Sequence, residues 1–189
     1  MTLAIGKQLT AEQRLWKATT DILGRTEFVA LAGVLMIGSK KIIDGLPTAC
    51  TNGRDELYGR EFVDSLTDAE FRFLMLHECY HKMYRHLTTW KDLHDIDATR
   101  ANRACDYVIN GKLSDMDLGD FIKMPDGGCL DDKYRGMNAK QVFDILEDSG
   151  DEGEGQGQGG AGIDDHDWEG EGEMSAEEAE ALALSLIHI

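Results

Sequence analysis

Apolar residues recur at helical spacing in several stretches of this chain, and local start and stop signals bracket them. The clearest stretch begins at Thr67. Phe71, Leu74, Met75 and Met83 repeat on one face, and no Gly or Pro interrupts before residue 90. Thr67 and Glu70 form a capping-box pair, Leu66 and Phe71 stand at the staple positions, and Asp68 and Glu70 suit the positive end of the helix dipole. Residues 10–24 predict a second helix, with Thr10 as N-cap, Glu12 and Gln13 in the first turn, Leu15, Ile22 and Leu23 on one face, and Gly24 at the end. Residues 98–112 predict a third. It sets Ala101, Ala104, Cys105, Val108 and Ile109 against a polar stripe of Asn102, Asp106 and Asn110, part of which is expected to point inward.

Other stretches read differently. The run Phe28–Ile37 is apolar throughout, and its periodicity fits a buried strand or a buried helix equally. Asn52-Gly53 between short β-tolerant runs over 48–58 predicts a hairpin. Its edge strand, next to the helix from Thr67, could accept an extended peptide as a further strand. Residues 90–95 read as a loop, and Gly136-Met137-Asn138-Ala139 precedes a last helix. Together these elements predict a mainly helical α+β domain with a small antiparallel hairpin or sheet.

Composition changes the picture at the C-terminal side. The chain has 189 residues and a net charge of −17. Residues 147–180 hold 14 acids and no Lys or Arg, so residues 1–146 carry 22 acids against 19 bases and are close to neutral. The expected organisation is a domain over 1–146, a solvated acidic Gly-rich linker over 147–174, and a further segment over 175–189 opened by the capping box Ser175–Glu178. No basic patch is present, which argues against nucleic-acid binding. The longest apolar run is about half of a bilayer span, which argues against a membrane protein. The first residues lack the layout of a signal peptide, and Cys50, Cys79, Cys105 and Cys129 form no CxxC pair, so reduced thiols and a cytoplasmic location are expected.

The chemistry lies within the helix from Thr67. His77-Glu78-Cys79-Tyr80-His81 is an HExxH pattern. Two imidazoles four apart project from one helix face and can grip a single Zn²⁺, while Glu78 can take a proton from a water activated there. Such a site needs a third ligand and an open position. Asp106, 25 residues after His81 on the next long helix, is one candidate. His86 is the other, but on a continuous helix it would lie about 180° round from His77, and Lys82–Arg85 contains no Gly to signal a break. Asp106 is the preferred ligand, with Asn102 one turn away in a supporting role. Tyr84, Arg103 and Tyr107 are candidates to stabilise an anionic intermediate.

At this point the chain resembles a known family. Thr51-Asn52-Gly53, Tyr58–Phe62, Leu66-Thr67, the HExxH run and His86 resemble the first block of a metallopeptidase domain found in bacteria and phages. Ala104–Asn110 is similar to its second block, and Pro125–Asp131 with Gly136–Ala139 to its third. The resemblance covers about residues 26–146. It implies a zincin-like fold, a zinc cofactor, and hydrolysis of a peptide or protein substrate with Glu78 as general base. Members of the family often precede a von Willebrand factor A-like domain. The end of this sequence carries no signature of that domain, so a truncated chain lacking its partner domain is expected. Two other readings share these residues: a catalytically silent zincin-fold binding module, and a metal-dependent amidase acting on a non-protein bond.

Overall fold

A computed structural model describes residues 8–116 and 119–148 of the chain. Helices dominate. Helix α1 (Ala11–Leu23) starts at Thr10, whose hydroxyl accepts from the Gln13 N–H while the Gln13 side chain caps in return. The ambiguous apolar run is helical: a 3₁₀ turn over Thr26–Leu31 leads into α2 (Ala32–Leu35). Phe28, Leu31, Val34 and Leu35 are buried, whereas Val29 and Met36 face solvent. The uniformly apolar composition had hidden that helical spacing.

A three-stranded sheet follows, ordered β1-β3-β2. Strands β2 (Ala49–Thr51) and β3 (Glu56–Gly59) form the hairpin expected at Asn52-Gly53. Asn52 supports the turn by accepting from the backbone of Arg54 and Asp55, and Gly53 takes φ +87°. Strand β1 (Lys40–Ile43) was not anticipated. It is short, begins with two lysines and pairs parallel to β3, so the sheet is mixed. β2 is an edge strand and packs on the HExxH helix.

After α3 (Arg60–Ser65) comes that helix, α4 (Asp68–Tyr84). The Thr67/Glu70 capping box is formed in both directions. From Phe73 to Met83 every residue of α4 is buried, so the helix runs through the core rather than over it. Apolar side chains of α1, α2 and the sheet surround it.

Two short helices follow, α5 (His86–Thr89) and α6 (Lys91–Ile96), the second occupying most of the stretch 90–95 that reads as a loop. Helix α7 (Ala98–Ser114) then crosses α4, with Asp97 as N-cap. Helix α8 (Ala139–Asp148) packs on α7 over a second apolar cluster that contains Leu93, Tyr134, Val142 and Phe143. The acidic linker and C-terminal segment expected beyond residue 148 lie outside the described residues.

Candidate metal centre

Position on α4 explains the first two donors. His77 and His81 are one turn apart and fully buried, as is Glu78. Their Nε2 atoms face each other at 2.9 Å. Helix α7 brings the third group: Oδ1 of Asp106 lies 3.4 Å from each of these nitrogens. Among the described residues, His77, His81 and Asp106 form the one cluster of potential metal donors, all within 4.8 Å of one another. His86 and the cysteines are not part of it.

The donor triangle fits a small divalent ion. A tetrahedral ion with bonds of ~2.0–2.1 Å separates its ligands by about 3.3–3.4 Å. Both edges to Asp106 have that length. The His–His edge is shorter by about 0.4 Å, which a small rotation of either ring recovers. Two imidazoles, one carboxylate and an adjacent buried glutamate are also a chemically suitable set for a hydrolytic metal.

The polar stripe of α7 turns inward over its C-terminal part. Asp106 and Asn110 are buried, while Asn102 is only half-buried. Asn110 holds His77 in place. Its Oδ1 is 2.8 Å from His77 Nδ1, and its Nδ2 donates to the Cys129 carbonyl at 3.0 Å. That second bond fixes which way the amide points, so Oδ1 accepts the Nδ1–H of His77 and leaves Nε2 with a lone pair for a metal. The sequence signal was available: Asn110 follows Asp106 by one turn.

His86 departs from expectation. α4 does break, at Arg85, which adopts a left-handed conformation (φ 52°, ψ 42°). The chain turns there, and His86 becomes buried with Nδ1 3.2 Å from His81 Nδ1. The absence of a glycine concealed this break, because a non-glycine residue seldom takes that conformation.

Behind the site lies a second polar group of residues. Glu56 and Lys82, both almost wholly buried, form an ion pair. Lys82 also donates to the Ile37 carbonyl at 3.1 Å, and Lys40 stands 3.5 Å from the same carboxylate. The Tyr58 hydroxyl donates to Glu56 at 2.5 Å. Burial pushes the Tyr58 phenol well above its usual range, and the Glu56 and Glu78 carboxylates push the same way, so it stays protonated. Burial likewise pushes the Cys79 thiol up to about 12, which makes it an inert core residue. Of the groups considered for stabilising an intermediate, Tyr84 stacks on His86 with centroids 5.3 Å apart. Tyr107 instead packs on Tyr134, 4.6 Å between centroids, with Arg103 as a hydrogen-bond partner.

A mainly helical α+β domain here buries two histidines and an aspartate around one point, with a buried glutamate next in sequence to the first histidine, a donor set suited to a metal ion. The chain belongs to the family described as "Putative metallopeptidase domain", whose model matches residues 10–181. That match extends beyond the 26–146 span of the resemblance at both ends. No curated protein and no solved structure gives a significant match. Among the described residues, no helix is long and apolar enough to cross a membrane.

Proposed function

We propose that this domain is a zinc-dependent peptidase. The observation that carries the reading is the convergence of His77 Nε2, His81 Nε2 and Asp106 Oδ1 in a buried site beside Glu78. Zinc suits two neutral imidazoles and a carboxylate, and when bound it would acidify a water and polarise a peptide carbonyl. His77 and His81 would hold the ion through Nε2, and Asp106 would supply the third ligand. Glu78 removes a proton from the attacking water and delivers it to the leaving nitrogen.

Strand β2 does not offer an open edge to a peptide. In the β2–β3 register, Cys50 faces Leu57 and the Thr48 carbonyl accepts from Gly59, so Ala49 and Thr51 direct their backbone groups away from β3. Both residues are buried, so an extended peptide could pair there only if that edge were first uncovered. Four cysteines without a disulfide suit a reducing, cytoplasmic setting.

The test is elemental analysis of the purified chain together with digestion of a peptide library. About one zinc per chain is expected in wild type and none in Asp106→Ala. Glu78→Gln should keep zinc and lose about 10²–10⁴-fold in hydrolysis. Retained turnover in Glu78→Gln would sink the mechanism. Zinc without any cleavage would favour the silent binding module or the amidase, and no zinc at all would reduce the motif to core packing.

A further inference from the structure

We propose that His86 is a positioning residue that orients His81 for metal binding, as Asn110 does for His77. The proposal rests on the metal-site reading above but not on peptide hydrolysis. His81 can present a lone pair at Nε2 only if its proton sits on Nδ1. The group facing that nitrogen is His86 Nδ1, at 3.2 Å. His86 must therefore accept there and carry its own proton on Nε2. Its ring meets His81 edge-on, with an interplanar angle of 84° and centroids 5.0 Å apart. Tyr84 stacks on it at 30°, which limits how far the ring can turn.

The backbone is arranged to produce this contact. A helix continued through Arg85 would carry His86 to the far side from His77. The left-handed Arg85 ends α4 instead, its N–H capping the His81 and Lys82 carbonyls, and α5 restarts with His86 beneath His81. His86 is not itself a ligand in this geometry. The two nitrogens of an imidazole point in divergent directions, and His86 occupies the Nδ1 side of His81, whereas Asp106 and His77 occupy the Nε2 side. A left-handed, non-glycine residue is held where the surroundings require it, and here it brings a buried acceptor to a ligand histidine.

The experiment compares His86→Leu with His86→Asn in the full chain. Asparagine places its Oδ1 where the histidine Nδ1 stood, and leucine has nearly the same shape without an acceptor. Zinc affinity is measured by competition with a chromophoric chelator, and the visible spectrum of the cobalt-loaded protein reports ligand geometry. His86→Leu should bind zinc about 10–100-fold more weakly and alter the cobalt spectrum. His86→Asn should bind within a few-fold of wild type with an unaltered spectrum. Circular dichroism of the metal-free proteins separates loss of folding from loss of orientation. If the leucine variant does not fold, the asparagine variant decides alone: wild-type affinity and spectrum support the proposal, and weakened binding overturns it. Equal affinity of leucine and wild type, or asparagine no better than leucine, also overturns it. Wild type that binds zinc but cleaves no peptide would defeat the peptidase reading and leave this one standing; wild type that binds no zinc defeats both.

Discussion

Each histidine of the HExxH pair depends on a neighbour that the pattern does not name. For His77 the neighbour is Asn110, tied in turn to the Cys129 carbonyl at 3.0 Å. This predicts that Asn110→Leu weakens zinc binding about 10–100-fold, because His77 loses the acceptor that fixes its tautomer. Asn110→Asp keeps an acceptor on His77 but sets a carboxylate oxygen against the Cys129 carbonyl, so it should bind more weakly than wild type and more tightly than the leucine variant. Chelator competition measures both, and equal binding by the leucine variant and wild type would dismiss the role. At this scale, the sequence disclosed residues whose spacing is itself the chemistry. His77 and His81 are four apart, and Asp106 and Asn110 share one stripe of α7. What it concealed depends on a single backbone state: the φ of 52° at Arg85 decides where His86 points, and no residue type announces it.

Helix α4 carries the site, and its N-terminus is secured by chemistry that can be titrated. Glu70 accepts from Lys123 at 2.7 Å and from the Thr67 N–H at 2.9 Å. The Lys123 bond first, then the backbone bond, lowers its carboxyl from 4.5 to about 2. A depressed folded-state value means that the unfolded chain takes up the proton first as pH falls. The stabilisation is therefore complete above about pH 4.5 and is lost on acidification towards pH 2. Glu70→Gln should unfold about 1 kcal/mol more easily near neutral pH, with the difference from wild type shrinking over that window. Urea midpoints taken across pH 2–6 would show it, and parallel curves would refute it. Such caps are legible because they are local: Thr10–Gln13 and Thr67–Glu70 each lie within one turn. Strand β1 is illegible for the opposite reason. Lys40–Ile43 becomes a strand only by pairing with Glu56–Gly59, and no property of its own four residues requires that.

The molecule as a whole is joined by the buried group behind the site. Glu56 and Tyr58 come from β3, Lys40 from β1 and Lys82 from α4, and Lys82 and Lys40 also bond carbonyls at the end of α2 and just beyond it. One ion cluster thus links the sheet, the α2 region and the metal-site helix, at the residue directly after His81. Burying these charges is costly, so the cluster need not add net stability, but removing one partner leaves an uncompensated charge in the core. Lys82→Met should therefore destabilise the fold by about 3 kcal/mol, the lower end for a broken buried pair, because Lys40 still faces Glu56. Replacing the carboxylate as well, in Glu56→Gln with Lys82→Met, should recover much of that loss, since no buried anion then remains at that point. Urea unfolding of wild type, both single variants and the double variant forms a double-mutant cycle. A single Lys82→Met change as mild as the double would show that Lys82 acts only by packing its stem. Strong coupling would establish that the sheet holds the metal-site helix through this pair. Loss of zinc affinity in the single variant, regained in the double, would then show that the same pair sets the position of His81.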